Sequence, residues 1–195
     1  VDEALGDNYL EQVSNWPDYI KSERNWGFMS SWHYMTVQPD ETVEGLLAKN
    51  IKNDRVDDVA EGIDMMLRIL RNDQEAIDAF EALMDKNRVK PLAGSIEATA
   101  LAFLIHFIGD IHQPLHVGKN RDSGANKISV LFFGERKNLH SVWDSEIIEH
   151  ERLSYTEFSA FVEKHVHSKK QGWENAPMND WIKESIIHRE QLLLT

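Results

Sequence analysis

Two pairs of residues in this sequence share one spacing: His106 with Asp110, and His140 with Asp144. Four residues apart on a helix, such side chains lie on one face about one turn apart, as two ligands of a single ion must. A third histidine, His116, ends the stretch GDIHQPLH (Gly109 to His116), where Pro114 forces the chain out of helical geometry and turns the imidazole elsewhere. Imidazole nitrogen and carboxylate oxygen together suit zinc. The competing account is a hydrogen-bonded core pair, the commoner fate of a lone His-x3-Asp. Two such pairs, plus a histidine after a helix-ending proline, tip the balance toward metal. Asp110 adds to this: it sits in an otherwise apolar helix, and a buried carboxylate with neither partner nor metal is destabilising by several kcal/mol.

The elements that must carry these residues are mostly helical. Residues Val1 to Val13 read as a helix, and SNWPDYIKS restarts one, with Ser14 or Asn15 as cap and Pro17 in the first turn. Ser30 to Val37, aromatic and β-branched, reads as extended, and Thr42 to Asn50 as a short helix. Val56 to Arg71 places Val59, Ile63, Met66, Leu67 and Leu70 on one helical face. Asp73 to Lys86 and Ser95 to Ile111 continue the helical pattern, and the latter is nearly apolar all round. Glycines at 118, 124 and 134 then punctuate a loop and a hairpin around KISVLFFG. Asn138 or Ser141 opens a helix through Trp143 to His150, and two more follow, Tyr155 to His167 and Asn179 to Leu194. The expected fold is all-α with one small β-hairpin.

The bulk numbers exclude several classes. With 195 residues the chain suits one domain, 1–195, with a sizeable core. Lys and Arg number 21 against 33 Asp and Glu, a net charge of −12, which argues against a chain held to nucleic acid or anionic membrane by general electrostatics. An anionic substrate would need local positive charge, which bound dications supply. There is no cysteine, so disulfides, thiolate zinc sites and cysteine nucleophiles drop out together, and any metal must sit on nitrogen and oxygen. The longest apolar run, around Ala98 to Ile108, is too short for a membrane anchor, and VDEALGDNYLEQV is no signal peptide. The chain opens on Val1 within what reads as a helix and stops abruptly at HREQLLLT, so segments are expected to be missing at both ends.

The motifs WPDYIK, WHYMTV, HFIGDIHQPLHVG, GANKISVLFFG and NLHSVWD, in that order from Trp16 to Asp144, closely resemble the zinc-dependent single-strand nuclease family typified by nucleases S-one and P-one. The later DWIKES resembles the family's C-terminal helix, so the resemblance covers most of the chain. It implies a mostly helical architecture, shared with zinc-dependent phospholipase C, that holds three zinc ions. By similarity, Asp18, His33, His106 and Asp110 would hold the first ion, and His116, His140 and Asp144 the second. Asp110 would also bridge toward the third, which the family completes with an N-terminal tryptophan and a nearby histidine. That opening is absent from this sequence.

The resemblance further implies a hydrolase, an endonuclease with 3′-nucleotidase activity, that cleaves single-stranded DNA and RNA to 5′-phosphorylated products. Metal-activated hydroxide would attack phosphorus, with Asp18, Lys21 and Asp110 as the catalytic set. Lys21, Tyr34 and Asn126 would bind substrate: Lys21 at a phosphate or the leaving oxygen, Tyr34 by stacking a base. Each has a plainer account, respectively an exposed helix lysine, a core aromatic and ordinary Gly-Ala-Asn turn chemistry. His112 is not a family ligand, and Trp16, Trp32, Trp143 and Trp181 read as core around the site. A free tryptophan amine as ligand requires export, so a periplasmic or secreted protein is implied. Lack of cysteine suggests a bacterial member. A monomer is expected, with no protein partner evident in the sequence. Other outcomes are a phospholipase C-type lipid phosphodiesterase, or an inactive relative that binds metal or oligonucleotide without the third site.

Overall fold

The computed structural model describes residues 9–37, 42–45, 56–118, 123–167 and 169–193. Residues 1–8 of the expected N-terminal helix and 46–50 of the expected Thr42 to Asn50 helix lie outside these. The chain divides into two compact units, Val1–His112 and Gln113–Thr195.

In the first unit, α1 (Tyr9–Val13) and α2 (Trp16–Ile20) lead into a 3₁₀ segment, Gly27–His33, and a two-residue strand, β1 (Met35–Thr36). Three longer helices follow: α3 (Val59–Leu70), α4 (Gln74–Asn87) and α5 (Ile96–His112). Asp58 and Asp73 start α3 and α4 by accepting hydrogen bonds from the backbone N–H groups of Ala60 and Glu61, and of Glu75 and Ala76. These side chains satisfy donors that a helix start leaves without a partner. α3 packs along α5, with Val59, Ile63, Met66 and Ile69 buried on one side and Ala100, Phe103, Phe107 and Ile111 on the other. Fully burying the Val, Ile, Met and Phe side chains among these contributes about 1.5–3 kcal/mol each.

The Ser30 to Val37 segment departs from its expected extended form. It is 3₁₀-helical as far as His33, and only Met35–Thr36 forms a strand. The reason is spacing by three: Trp26, Met29 and Trp32 are all buried, and residues three apart eclipse one another in a 3₁₀ helix. Trp26 stacks with Phe28, Phe28 meets Trp32 edge-on, and the Trp32 indole N–H donates to the Val56 carbonyl at 2.9 Å. Tertiary burial overrides the β-branched and aromatic propensity here.

The second unit begins with a 3₁₀ turn, Pro114–His116, and strand β2 (Val117–Gly118), against both of which the last helix packs. β3 (Ser129–Phe132) and β4 (Glu135–Asn138) form the expected hairpin, antiparallel with Phe132 opposite Glu135. Its two turn residues, Phe133 and Gly134, both have positive φ, the backbone that matches the twist of a two-residue hairpin. Asn138 then caps α6 (Leu139–Ser141) by accepting from the Ser141 N–H at 2.7 Å. A π-helical turn, Val142–Glu146, continues into α7 (Ile147–His150). α8 (Tyr155–Val166), opened by a Ser154/Glu157 capping box, α9 (Lys170–Glu174) and α10 (Met178–Leu193) complete the unit. α9 has no counterpart in the sequence reading. No helix among the described residues is long and apolar enough to cross a membrane.

Candidate metal centre

The first unit gathers Asp18 from α2, His33 from the end of the 3₁₀ segment, and His106 and Asp110 from α5. Asp110 Oδ2 lies 3.0 Å from His33 Nδ1 and 3.1 Å from His106 Nε2, and those two nitrogens are 3.1 Å apart. Asp18 Oδ1 is 3.6 Å from His33 Nδ1 and 3.4 Å from His106 Nε2. Ligands on a tetrahedral zinc, at bond lengths of about 2.0–2.1 Å, stand about 3.3–3.5 Å from one another. The observed separations bracket that value. His33 and Asp110 are buried, whereas half of the Asp18 side chain is exposed. Phe107 backs the group, its ring nearly perpendicular to that of His33 at 5.6 Å between centroids.

Orientation distinguishes this cluster from a chance His–Asp contact. His106 Nδ1 donates to the Ser14 carbonyl at 2.7 Å, which leaves Nε2 to face the carboxylates. An outer hydrogen bond of this kind fixes the tautomer and the ring plane of a metal-ligating histidine. Burial alone would lower the His106 pKa. The hydrogen bonds to Asp110 and Asp18 outweigh it and raise the pKa to about 10. Burial likewise pushes Asp18 up, but hydrogen bonds from His106 and Lys21 prevail and hold its carboxyl at about 2. Lys21 Nζ contacts Asp18 Oδ1 directly, so this lysine is tied to the cluster's exposed rim.

The second unit gathers His116, His140 and Asp144. His116 Nε2 lies 3.3 Å from Asp144 Oδ1, and His140 Nε2 lies 3.0 Å from Asp144 Oδ2, with the two imidazoles stacked at 5.1 Å. The same outer hydrogen bond recurs: His140 Nδ1 donates to the Gly124 carbonyl at 2.7 Å. Gln113 also enters, its Nε2 donating to Asp144 Oδ1 at 2.6 Å. Burial raises the Asp144 pKa, but the hydrogen bonds from His116, His140 and Gln113 win and hold it far below the usual carboxylate range. Asp144 itself lies in the π turn, where Ile147 N–H bonds to the Val142 carbonyl five residues back. π turns of this kind recur at functional sites.

Within each of two groups, Asp18 with His33 and His106, and His116 with His140 and Asp144, the ligand atoms all lie within 4.8 Å of one another, and either group could hold a metal ion. The donor set is nitrogen and oxygen throughout, and the tautomers fixed by Ser14 and Gly124 suit zinc coordination through Nε2. Of the other residues singled out from sequence, Tyr34 is half exposed directly after His33. Asn126 lies in the turn 123–127, where its Nδ2 donates to the Ser123 carbonyl at 2.9 Å. His112 donates back to the Ile108 carbonyl and joins neither group. Trp32 is buried core. The sequence reading missed Gln113, Ser14 and Gly124. Two of these act through backbone carbonyls, which leave no trace in side-chain identity.

The sequence matches the S1/P1 Nuclease family over residues 1–194, and the chain belongs to that family. It is 32% identical to Endonuclease 4 of Arabidopsis thaliana over 149 residues, which cover 76% of this chain and 46% of that protein. Nuclease S1 of Aspergillus oryzae is 46% identical over 63 residues, covering 32% of this chain and 22% of its own length. Nuclease P1 of Penicillium citrinum is 52% identical over 54 residues, 28% of this chain and 20% of that one. The chain spans about half the length of Endonuclease 4 and of Endonuclease 3 of the same organism.

Proposed function

We propose that this protein is a zinc-dependent phosphodiesterase that cleaves single-stranded DNA and RNA to 5′-phosphorylated products, with 3′-nucleotidase activity. The observation that carries the reading is the repeated arrangement of the two clusters. In each, a histidine Nδ1 is anchored on a backbone carbonyl and its Nε2 is turned toward a carboxylate. Family membership and the names of the relatives support nuclease chemistry.

In this reading Asp18, His33, His106 and Asp110 hold one zinc, and His116, His140 and Asp144 hold a second. Asp110 would also serve a third zinc. Bound zinc supplies Lewis acidity for phosphoryl oxygen and lowers the pKa of water toward neutrality. The protein's own groups do the rest. The carboxylates of Asp18 and Asp110 balance the charge of the site, and the Lys21 ammonium at the exposed rim meets the substrate phosphate or the leaving 3′ oxygen. Tyr34 offers an exposed ring on which a base stacks, a contact worth about 1–3 kcal/mol per base. Asn126 binds substrate from its turn. The protein works as a monomer outside the cytoplasm, in the periplasm or medium.

The test is hydrolysis of single-stranded DNA by zinc-loaded protein, with phosphatidylcholine as the competing ester. Cleavage of DNA that a chelator abolishes and zinc restores is expected, and Asp110→Asn is expected to lower zinc content and remove turnover. Hydrolysis of phosphatidylcholine alone, or full DNA turnover by Asp110→Asn, would overturn the assignment.

A further inference from the structure

Gln113 caps the 3₁₀ turn Pro114–His116: its Oε1 accepts the Leu115 N–H at 2.6 Å. Glutamine is an unusual choice there, since Asn, Asp, Ser and Thr are the residues that cap helix starts best. The other end of the same amide explains the choice. With Oε1 committed to an N–H donor, Nε2 is the only amide atom left to face Asp144, and it donates to Oδ1 at 2.6 Å. The amide orientation is therefore fixed by the network itself. One side chain thus ties the turn that carries His116 to the carboxylate that faces both His116 and His140.

We infer that Gln113 is a positioning residue of the His116–His140–Asp144 centre, which orients the Asp144 carboxylate for metal and holds it in register with His116. This rests on the metal reading given above. Left to itself, a carboxylate on an aspartate whose side chain is one-third exposed rotates about its χ angles, and ordering it on metal binding has an entropic cost. A neutral donor on Oδ1 removes that freedom without adding a competing charge. Hydrogen-bonding partners of metal ligands are worth about 10- to 100-fold in metal affinity. Asparagine separates the two roles of Gln113. It caps the turn at least as well, but it is one methylene too short to accept from Leu115 and also reach Asp144. Methionine, close in length, does neither.

The experiment is titration of the metal-free protein with cobalt(II) and zinc, following cobalt absorption and competition by a chelator, on the wild type, Gln113→Asn, Gln113→Met and His140→Ala. Both Gln113 variants are expected to weaken one site by about 10- to 100-fold, the same site that His140→Ala removes, and to alter its cobalt spectrum. The other site should keep its affinity, and Gln113→Asn, which keeps the cap but loses the bond to Asp144, should lower the melting temperature of the metal-free protein less than Gln113→Met, which loses both. A Gln113→Asn protein with wild-type affinity and spectrum would overturn the inference, whether or not Gln113→Met is impaired, because the residue would then be a cap only. Wild-type uptake unaltered by His140→Ala would instead overturn the metal assignment, and this inference with it.

Discussion

Gly124 offers a sharp test of how the second cluster is held. It adopts φ +62°, and a Cβ placed there would lie 2.7 Å from the Leu115 carbonyl oxygen and 3.3 Å from His140 Nδ1. Its own carbonyl is the acceptor that orients His140. In Gly124→Ala, a left-handed backbone on an L residue costs about 1–2 kcal/mol. The contact with Leu115 is to backbone, which cannot rotate aside, and overpacking of that kind adds about 1–3 kcal/mol. Together these predict a loss of about 2–5 kcal/mol. Any shift of residue 124 also moves the His140 acceptor, which predicts a fall of about 10- to 100-fold in zinc affinity at that site. Gly134→Ala is the matched control: its φ is +87°, but nothing lies within 4 Å of the added Cβ. It should lose only the backbone part, about 1–2 kcal/mol, and bind zinc normally. Guanidinium denaturation of the metal-free variants and zinc titration give both quantities. If the two variants match in stability and in zinc affinity, the packing argument is wrong.

Phe107→Ala should destabilise by about 3–5 kcal/mol in denaturant unfolding, because the ring is fully buried and backs both His33 and His106. For the metal-free protein, the raised His106 pKa contributes stability that is complete below pH 6.5 and disappears as pH rises through about 10. The lowered Asp18 pKa contributes stability present above about pH 3.8 and lost as pH falls through about 2. Zinc must displace the His106 proton, so its apparent affinity at the first cluster should rise about tenfold per pH unit between pH 7 and 9. A flat profile in calorimetry across buffers of different ionisation enthalpy would contradict that proton's release. Lys21→Ala should slow DNA hydrolysis at unchanged zinc content. Loss of zinc from that variant would make Lys21 a support for Asp18 instead.

Much of this was legible in the sequence because helices and ligand spacing are local properties. The apolar faces of α3 and α5, the hairpin at Ser129 to Asn138 and both His-x3-Asp pairs follow from periods of 3.6 and 2 and from turn glycines. The joining of Asp18 and His33 to α5 was reached through the resemblance, since no local pattern links residues 18, 33 and 106. The 3₁₀ segment was misread because its composition favours a strand, while the buried triplet Trp26, Met29 and Trp32 favours a period of three. The π turn at Asp144 and the carbonyl acceptors at Ser14 and Gly124 are backbone features that side-chain identity does not encode. Gln113 stands within GDIHQPLH, but an amide is not a ligand type and its identity alone gives no signal. Only its contacts on both sides give it a role.

The most direct measurement is anomalous X-ray scattering at the zinc absorption edge from crystals of the zinc-loaded protein. The account predicts one peak enclosed by Asp18, His33, His106 and Asp110, and another enclosed by His116, His140 and Asp144. Fully loaded crystals without a peak at either cluster, their histidines instead hydrogen-bonded to the neighbouring carboxylates, would contradict it.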